Sequence, residues 1–143
     1  MKDGAERYRM NRERGIIDRA IHIVDGPYID HMAKLAEIWV AAKHGWPYID
    51  RDRPDDGWDI IMVDRKKVNV KWTKYGFGCL ISPRNMPLKS DYYILVTGET
   101  EEEFVERGWA TREELRSQII DLGYGPTFGL YQSQLHPMSD FPY

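Results

Sequence analysis

Apolar and polar residues alternate strictly through Lys67-Val68-Asn69-Val70-Lys71-Trp72-Thr73. Val68, Val70 and Trp72 fall on one side and Asn69, Lys71 and Thr73 on the other, the period-two pattern of a strand with one face in a core. Upstream, Asp3 to Val24 mixes arginines and acids before Ile16-Ile17 and Ile21-His22-Ile23-Val24, which predicts a helix with a break at Gly15. Asp25-Gly26-Pro27 reads as a fresh helix start and Gly45 as a stop. The helix between them, about Tyr28 to His44, has apolar residues around more than one face and is therefore expected to be largely buried.

Trp58 to Val63 is a β-like run, and Asp64-Arg65-Lys66 makes a tight turn into the alternating strand. Phe77 to Ser82 predicts a further short strand. Asp91 to Thr97 is continuously apolar at its centre, as in a strand covered on both faces. Phe104 to Trp109 predicts another strand. Thr111 with Glu114 forms a capping box that opens a helix running to about Leu122, and a short strand at Thr127 to Tyr131 follows in a Pro- and Gly-rich tail. The expected fold class is α/β, a single domain with a central mixed sheet of four or more strands flanked by helices.

Composition supports one folded domain. The 143 residues suit a single core, and 42% hydrophobic with 13% aromatic content argues against general disorder. No apolar run approaches the roughly 20 residues that span a bilayer, and the start of the chain has no signal-like region, so no membrane partner is expected. Cys79 is the single cysteine, which excludes a disulfide framework or a zinc cluster and fits a reducing, cytoplasmic setting.

The net charge of −3 conceals an asymmetry. Arg65, Lys66, Lys67, Lys71, Lys74, Arg84 and Lys89 occupy a stretch without one acidic residue, so that segment carries +7 and the rest of the chain −10. A polyanion responds to such a local concentration more than to global charge. The plainer alternative is a solvated basic face.

Three residues raise a question of chemistry. Glu37 is flanked at helical spacing by Ala33, Val40 and Ala41, and Asp59 opens an otherwise apolar run. A buried carboxylate is costly unless a cation or donors compensate it, and a hard dication shared by Glu37 and Asp59 would compensate both. Lys71 lies across a hairpin from Asp59, where an ammonium could orient water and stabilise charge on a phosphate. Singly, each has a simpler role: Glu37 pairing with Lys34 or Lys43, Asp59 capping a turn, Lys71 solvated. The scattered histidines and the Gly76-Phe77-Gly78 and Gly123-Tyr124-Gly125 turns carry no recognisable metal or phosphate motif. Glu101-Glu102-Glu103 reads as solvated, and Trp46, Trp58 and Trp109 read as core residues before base-stacking ones.

Taken together, the order and spacing resemble the PD-(D/E)xK nuclease superfamily, the restriction-endonuclease-like fold, over roughly Tyr28 to Thr97. The matching residues are Glu37 in Lys34-Leu35-Ala36-Glu37-Ile38-Trp39, Asp59 in Asp56-Gly57-Trp58-Asp59-Ile60-Ile61, and Asn69-Val70-Lys71 in the alternating strand. That strand is similar to those of phage and prokaryotic members, the Holliday-junction-resolvase-like ones among them. Asn69 departs from the pattern, standing where the family has an acidic residue. Either an introduced exchange disables the site or the chain is a natural member with weak or absent cleavage.

The resemblance implies one nuclease-like domain over 1–143, with its core about 28–98, an N-terminal helical segment 1–25 and a C-terminal helix and tail 99–143. It implies a metal-dependent DNA endonuclease that hydrolyses phosphodiester bonds, the alternative being a catalytically dead DNA-binding module of the same fold. Glu37, Asp59, Asn69 and the Val70 carbonyl would hold Mg²⁺, with Mn²⁺ as substitute, and Lys71 would position the attacking water. Duplex or branched DNA would be the partner, contacted by Arg65, Lys66, Lys67, Lys74 and Arg84, and many members act as homodimers. A second alternative is an interaction protein whose polar strand face is merely solvated.

Overall fold

Helix α1, Asn11–His44, runs without interruption through Gly15 and Pro27. The computed structural model describes residues 11–48, 60–62 and 64–143, and for 11–26 the backbone alone. The expected breaks at Gly15 and at Asp25-Gly26-Pro27 are therefore absent. A proline inside a helix removes one ladder hydrogen bond, and helix on both sides of Pro27 tolerates that single loss. The stop at Gly45 is where the sequence puts it. Gly45 takes φ 72°, its N–H donates to the Ala42 carbonyl at 3.3 Å, and the Trp46 N–H donates to the Ala41 carbonyl at 2.9 Å. This is a Schellman closure, for which glycine is suited because it bears no Cβ.

A four-stranded mixed sheet packs on the C-terminal half of α1. Its strands are β1 (Ile60–Ile61), β2 (Lys67–Thr73), β4 (Tyr92–Thr97) and β5 (Val105–Thr111), in the order β1-β2-β4-β5. β1 and β2 are antiparallel with Ile60 opposite Val68, β2 and β4 are parallel with Asn69 opposite Tyr93, and β4 and β5 are antiparallel. The turn between β1 and β2 is the tight one expected at Asp64-Arg65-Lys66. The Met62 N–H reaches the Lys66 carbonyl at 2.8 Å, and Arg65 adopts φ 72°.

A smaller antiparallel sheet, β3 (Leu80–Ser82), β7 (Pro126–Leu130) and β6 (Ile119–Asp121), covers the other face. Two expectations are corrected here. Only Leu80–Ser82 of the Phe77–Ser82 run is strand, and it belongs to this second sheet. The helix opened by the capping box, α2 (Arg112–Arg116), ends short of the expected Leu122, because Ile119 and Ile120 pair with Phe128 and Thr127. The box itself is complete: the Thr111 N–H donates to Glu114 Oε1 at 2.8 Å and the Glu114 N–H to Thr111 Oγ1 at 3.1 Å.

Two cores follow from the alternation. Met32, Ala36 and Val40 of α1 pack with Val68, Val70, Ile94 and Val96 on one face of the sheet. Tyr93, Leu95, Leu80, Leu115 and Leu130 fill the other. The tail closes the first core: Trp109 and His136 exchange backbone hydrogen bonds of 3.0 and 2.9 Å. Gly108, with φ 146°, admits this strap, since a Cβ there would lie 2.7 Å from the His136 carbonyl oxygen. Among the described residues no helix is long and apolar enough to cross a membrane.

Candidate functional site

β2 separates the candidate residues by face. Val68 and Val70 enter the α1-facing core, so the side chains of Asn69, Lys71 and Thr73 leave the strand on the opposite face. Asn69 is 8% exposed and sits beside Tyr93 in the parallel register. Burial raises the Tyr93 phenol above its ordinary pKa despite a hydrogen bond from the Ser90 N–H at 3.2 Å. Lys71 stands beside Leu95 and borders a cavity between the two sheets.

Glu37 belongs to the helix layer, where it is half-buried. It is not held by Lys43, which pairs with Glu106 at 2.9 Å; the Tyr48 hydroxyl donates to Glu37 Oε1 at 2.9 Å. Tyr48 also forms an antiparallel bridge with Ile60, the partner of Val68. Glu37 is thus linked through one tyrosine to the hairpin strand that precedes Asn69. Asp59 lies outside the described residues, as does Trp58. Glu37, Asn69, Val70 and Lys71 each take part in a further interaction, so none is without a partner. Among the described residues no group of three or more His, Cys, Asp or Glu is placed to hold a metal. Glu37, Asn69 and the Val70 carbonyl offer oxygen donors, the type that Mg²⁺ prefers, but Glu37 and the Asn69 side chain lie on opposite faces of the sheet and are not brought together.

The basic residues divide along β2. Arg65 and Lys66 are exposed on the turn before the strand, and Lys67 begins it with its N–H donating to Asp91 Oδ2 at 2.9 Å. Lys74 lies beyond the far end, about 20 Å along the strand, with Nζ 5.3 Å from the Tyr75 ring centre. Arg84 is exposed on the loop after β3.

Two adjoining cavities lie along the small sheet, one of them beside Lys71. The first, about 350 Å³, is bordered by Lys71, Phe77, Cys79, Leu95 and Tyr131. The second, about 380 Å³, is bordered by Arg84, Asn85 and Pro126. Ile81, Leu122 and Tyr124 border both, so the two cavities adjoin along these residues. Burial pushes the Cys79 thiol up to about 11, so it is protonated at neutral pH and is a poor nucleophile.

The chain matches no family model, no curated protein and no solved structure. What can be assigned therefore rests on its own geometry.

Two glutamate–histidine pairs escaped the sequence reading. Glu106, with its side chain 3% exposed, accepts from Lys43 and bonds His44 Nε2 at 2.7 Å, while His44 Nδ1 meets the Tyr143 hydroxyl at 2.7 Å. Glu114 bonds His136 at 2.7 Å. Burial opposes ionisation of Glu114, but the Thr111 and His136 hydrogen bonds outweigh it and hold the carboxyl below its usual range. No sequence signal joins these partners, which lie 62 and 22 residues apart. Both pairs fasten the tail and the β5 edge to the fold.

Proposed function

We propose that this chain is a DNA-processing protein of the PD-(D/E)xK type, a metal-dependent endonuclease with a restriction-endonuclease-like core whose Asn69 leaves it weakly active or inactive. The observation that carries the reading is the placement of Asn69 and Lys71 on one face of an inner strand of a mixed sheet. That strand is flanked by an antiparallel β1 and covered by the helix that bears Glu37. Glu37 lies on the α1 side of the sheet and the Asn69 side chain on the other. Asp59, Asn69 and the Val70 carbonyl would therefore hold Mg²⁺, and Glu37 would act on the site through Tyr48. The ion when bound polarises a phosphoryl oxygen and acidifies water. Tyr48 fixes the Glu37 carboxylate through its 2.9 Å hydrogen bond. The Lys71 ammonium orients the water that attacks phosphorus and offsets the charge that builds on the phosphate as the P–O3′ bond breaks. The neutral amide of Asn69 favours a second reading, a DNA-binding module that keeps the fold without the chemistry.

A shared metal predicts a linkage. Mg²⁺ at about a hundred times its Kd should stabilise the fold by about 2.7 kcal/mol. Glu37→Gln combined with Asp59→Asn should abolish the rise while leaving an acceptor for Tyr48. An identical metal response in both proteins by calorimetry would place the metal elsewhere.

DNA binding predicts a salt dependence carried by the basic turn. Lys66→Ala with Lys67→Ala should weaken duplex binding and reduce the log-log salt slope by about 1 for each phosphate that is no longer neutralised. Lys66 is exposed and the Lys67 backbone N–H keeps its bond to Asp91 in the variant; an equal melting temperature checks that the fold is retained. Unchanged affinity and slope would remove this turn from the interface.

A further inference from the structure

The two adjoining cavities, one between the sheets beside Lys71 and one at the end of the small sheet beside Arg84, form a surface with features that cleavage of a duplex does not require. Its two cavities share one wall and together present two cations, Lys71 and Arg84, with aromatic rings between and beside them. Tyr124 stands at the junction. Phe77, 54% exposed, and Tyr131, 47% exposed, line the end near Lys71. No described residue that borders either cavity is acidic, although acids dominate the rest of the chain. Volumes of about 350 and 380 Å³ fall in the range of preformed small-ligand sites.

Rings that stack, alternating with cations that track an anionic backbone, are the means by which proteins hold single-stranded nucleic acid, because every base has a π-face. A paired base hides both faces in its own stack and cannot enter a concave apolar cavity. An apolar ligand alone would leave Arg84 and Lys71 unused, and a bare phosphate would leave the rings unused. The occupant that uses both is a strand of unpaired nucleotides.

We infer that this surface binds unpaired DNA, with bases stacked on Tyr124 and Tyr131 and backbone phosphates paired with Arg84 and Lys71. The inference rests on the DNA-processing reading and names its substrate feature: an overhang, flap or open junction whose single strand leads to Lys71. Lys71 would then serve both functions, since an ammonium offers three donors. The strand enters over Arg84, passes Tyr124 and ends beside the Asn69-Lys71 face.

Fluorescence anisotropy with labelled dT₁₂ and a labelled 12-base-pair duplex tests this on the full chain. Wild type should bind dT₁₂, and Tyr124→Ala with Tyr131→Ala should weaken that binding by about tenfold or more, in line with the loss of stacked bases. Duplex binding should change by less than about twofold. Tyr124→Phe with Tyr131→Phe should retain dT₁₂ affinity, because the ring faces remain, and equal melting temperatures exclude misfolding as the cause. Arg84→Ala should lower the dT₁₂ salt slope by about 0.7, the single-strand value for one phosphate. If both DNAs bind and the alanine variant leaves dT₁₂ affinity unchanged, or weakens duplex binding equally, this surface is not the single-strand site, and the DNA-processing reading survives. If wild type binds neither DNA, that reading and this one both fall.

Discussion

Asn69→Asp should nick supercoiled plasmid in Mg²⁺ at least about a hundredfold faster than the parent chain. Removing groups that merely support a metal ligand costs about 10–100-fold in affinity or activity, and exchanging a ligand's charge for an amide dipole should cost no less. The location of Asn69 strengthens the expectation, because its side chain is 8% exposed beside Tyr93 in the middle of the sheet. A carboxylate introduced there is poorly solvated, so it should lower the melting temperature in EDTA and recover it when a dication binds. The two readouts are independent: one follows turnover and the other follows metal-linked stability. Asn69→Asp/Lys71→Ala is the control, since a contaminating nuclease would be indifferent to Lys71. Cleavage that disappears in the double variant assigns the chemistry to this strand. If Asn69→Asp cuts no supercoiled, linear or branched DNA in Mg²⁺ or Mn²⁺, the endonuclease reading fails and the binding-module reading takes its place.

The extent of the strand that carries this prediction was legible in the sequence, whereas the burial of Asn69 on its second face was not. Lys67–Thr73 is β2 from end to end, because strict alternation leaves only one way to bury Val68 and Val70 together. The signals at Gly45 and at Thr111 with Glu114 were equally direct, each being a local backbone requirement met by one or two residues. Signals that depend on distant partners were not legible. Pro27 punctuates a helix in sequence but does not end α1. The helix after Thr111 stops early because Ile119 and Ile120 find strand partners in β7, which helical spacing cannot foresee. The same limit hid the adjoining cavities: Lys71 and Arg84 are 13 positions apart in sequence. Only the packing of the small sheet over β2 and β4 makes them ends of one surface. Asp59, the remaining member of the predicted site, lies outside the described residues, so the carboxylate pair read from the sequence is represented by Glu37 alone.

Phe141→Ala should destabilise the fold by about 3–5 kcal/mol, the range for truncating a buried aromatic. Phe141 is 5% exposed, and its ring centre lies 5.2 Å from those of Trp46 and Tyr92 and 5.3 Å from that of Trp109. These partners come from the segment after α1, from β4 and from β5, so one tail side chain joins three parts of the first core. Trp109 adds a hydrogen bond from Nε1 to the Pro137 carbonyl at 3.0 Å, holding the strap from which Phe141 projects. Against a total stability of about 5–15 kcal/mol the loss is large, and it should appear in urea as a lower midpoint. Tyr143→Ala is the comparison: that ring is 69% exposed, and its hydroxyl contact to His44 is worth about 1 kcal/mol. The two variants remove neighbouring rings of the same tail, so a general effect of loosening its end predicts similar losses. Core burial predicts a difference of about 2 kcal/mol or more, with the m-value preserved. Equal midpoints for Phe141→Ala and Tyr143→Ala would show that the tail rests on the sheet without completing its core.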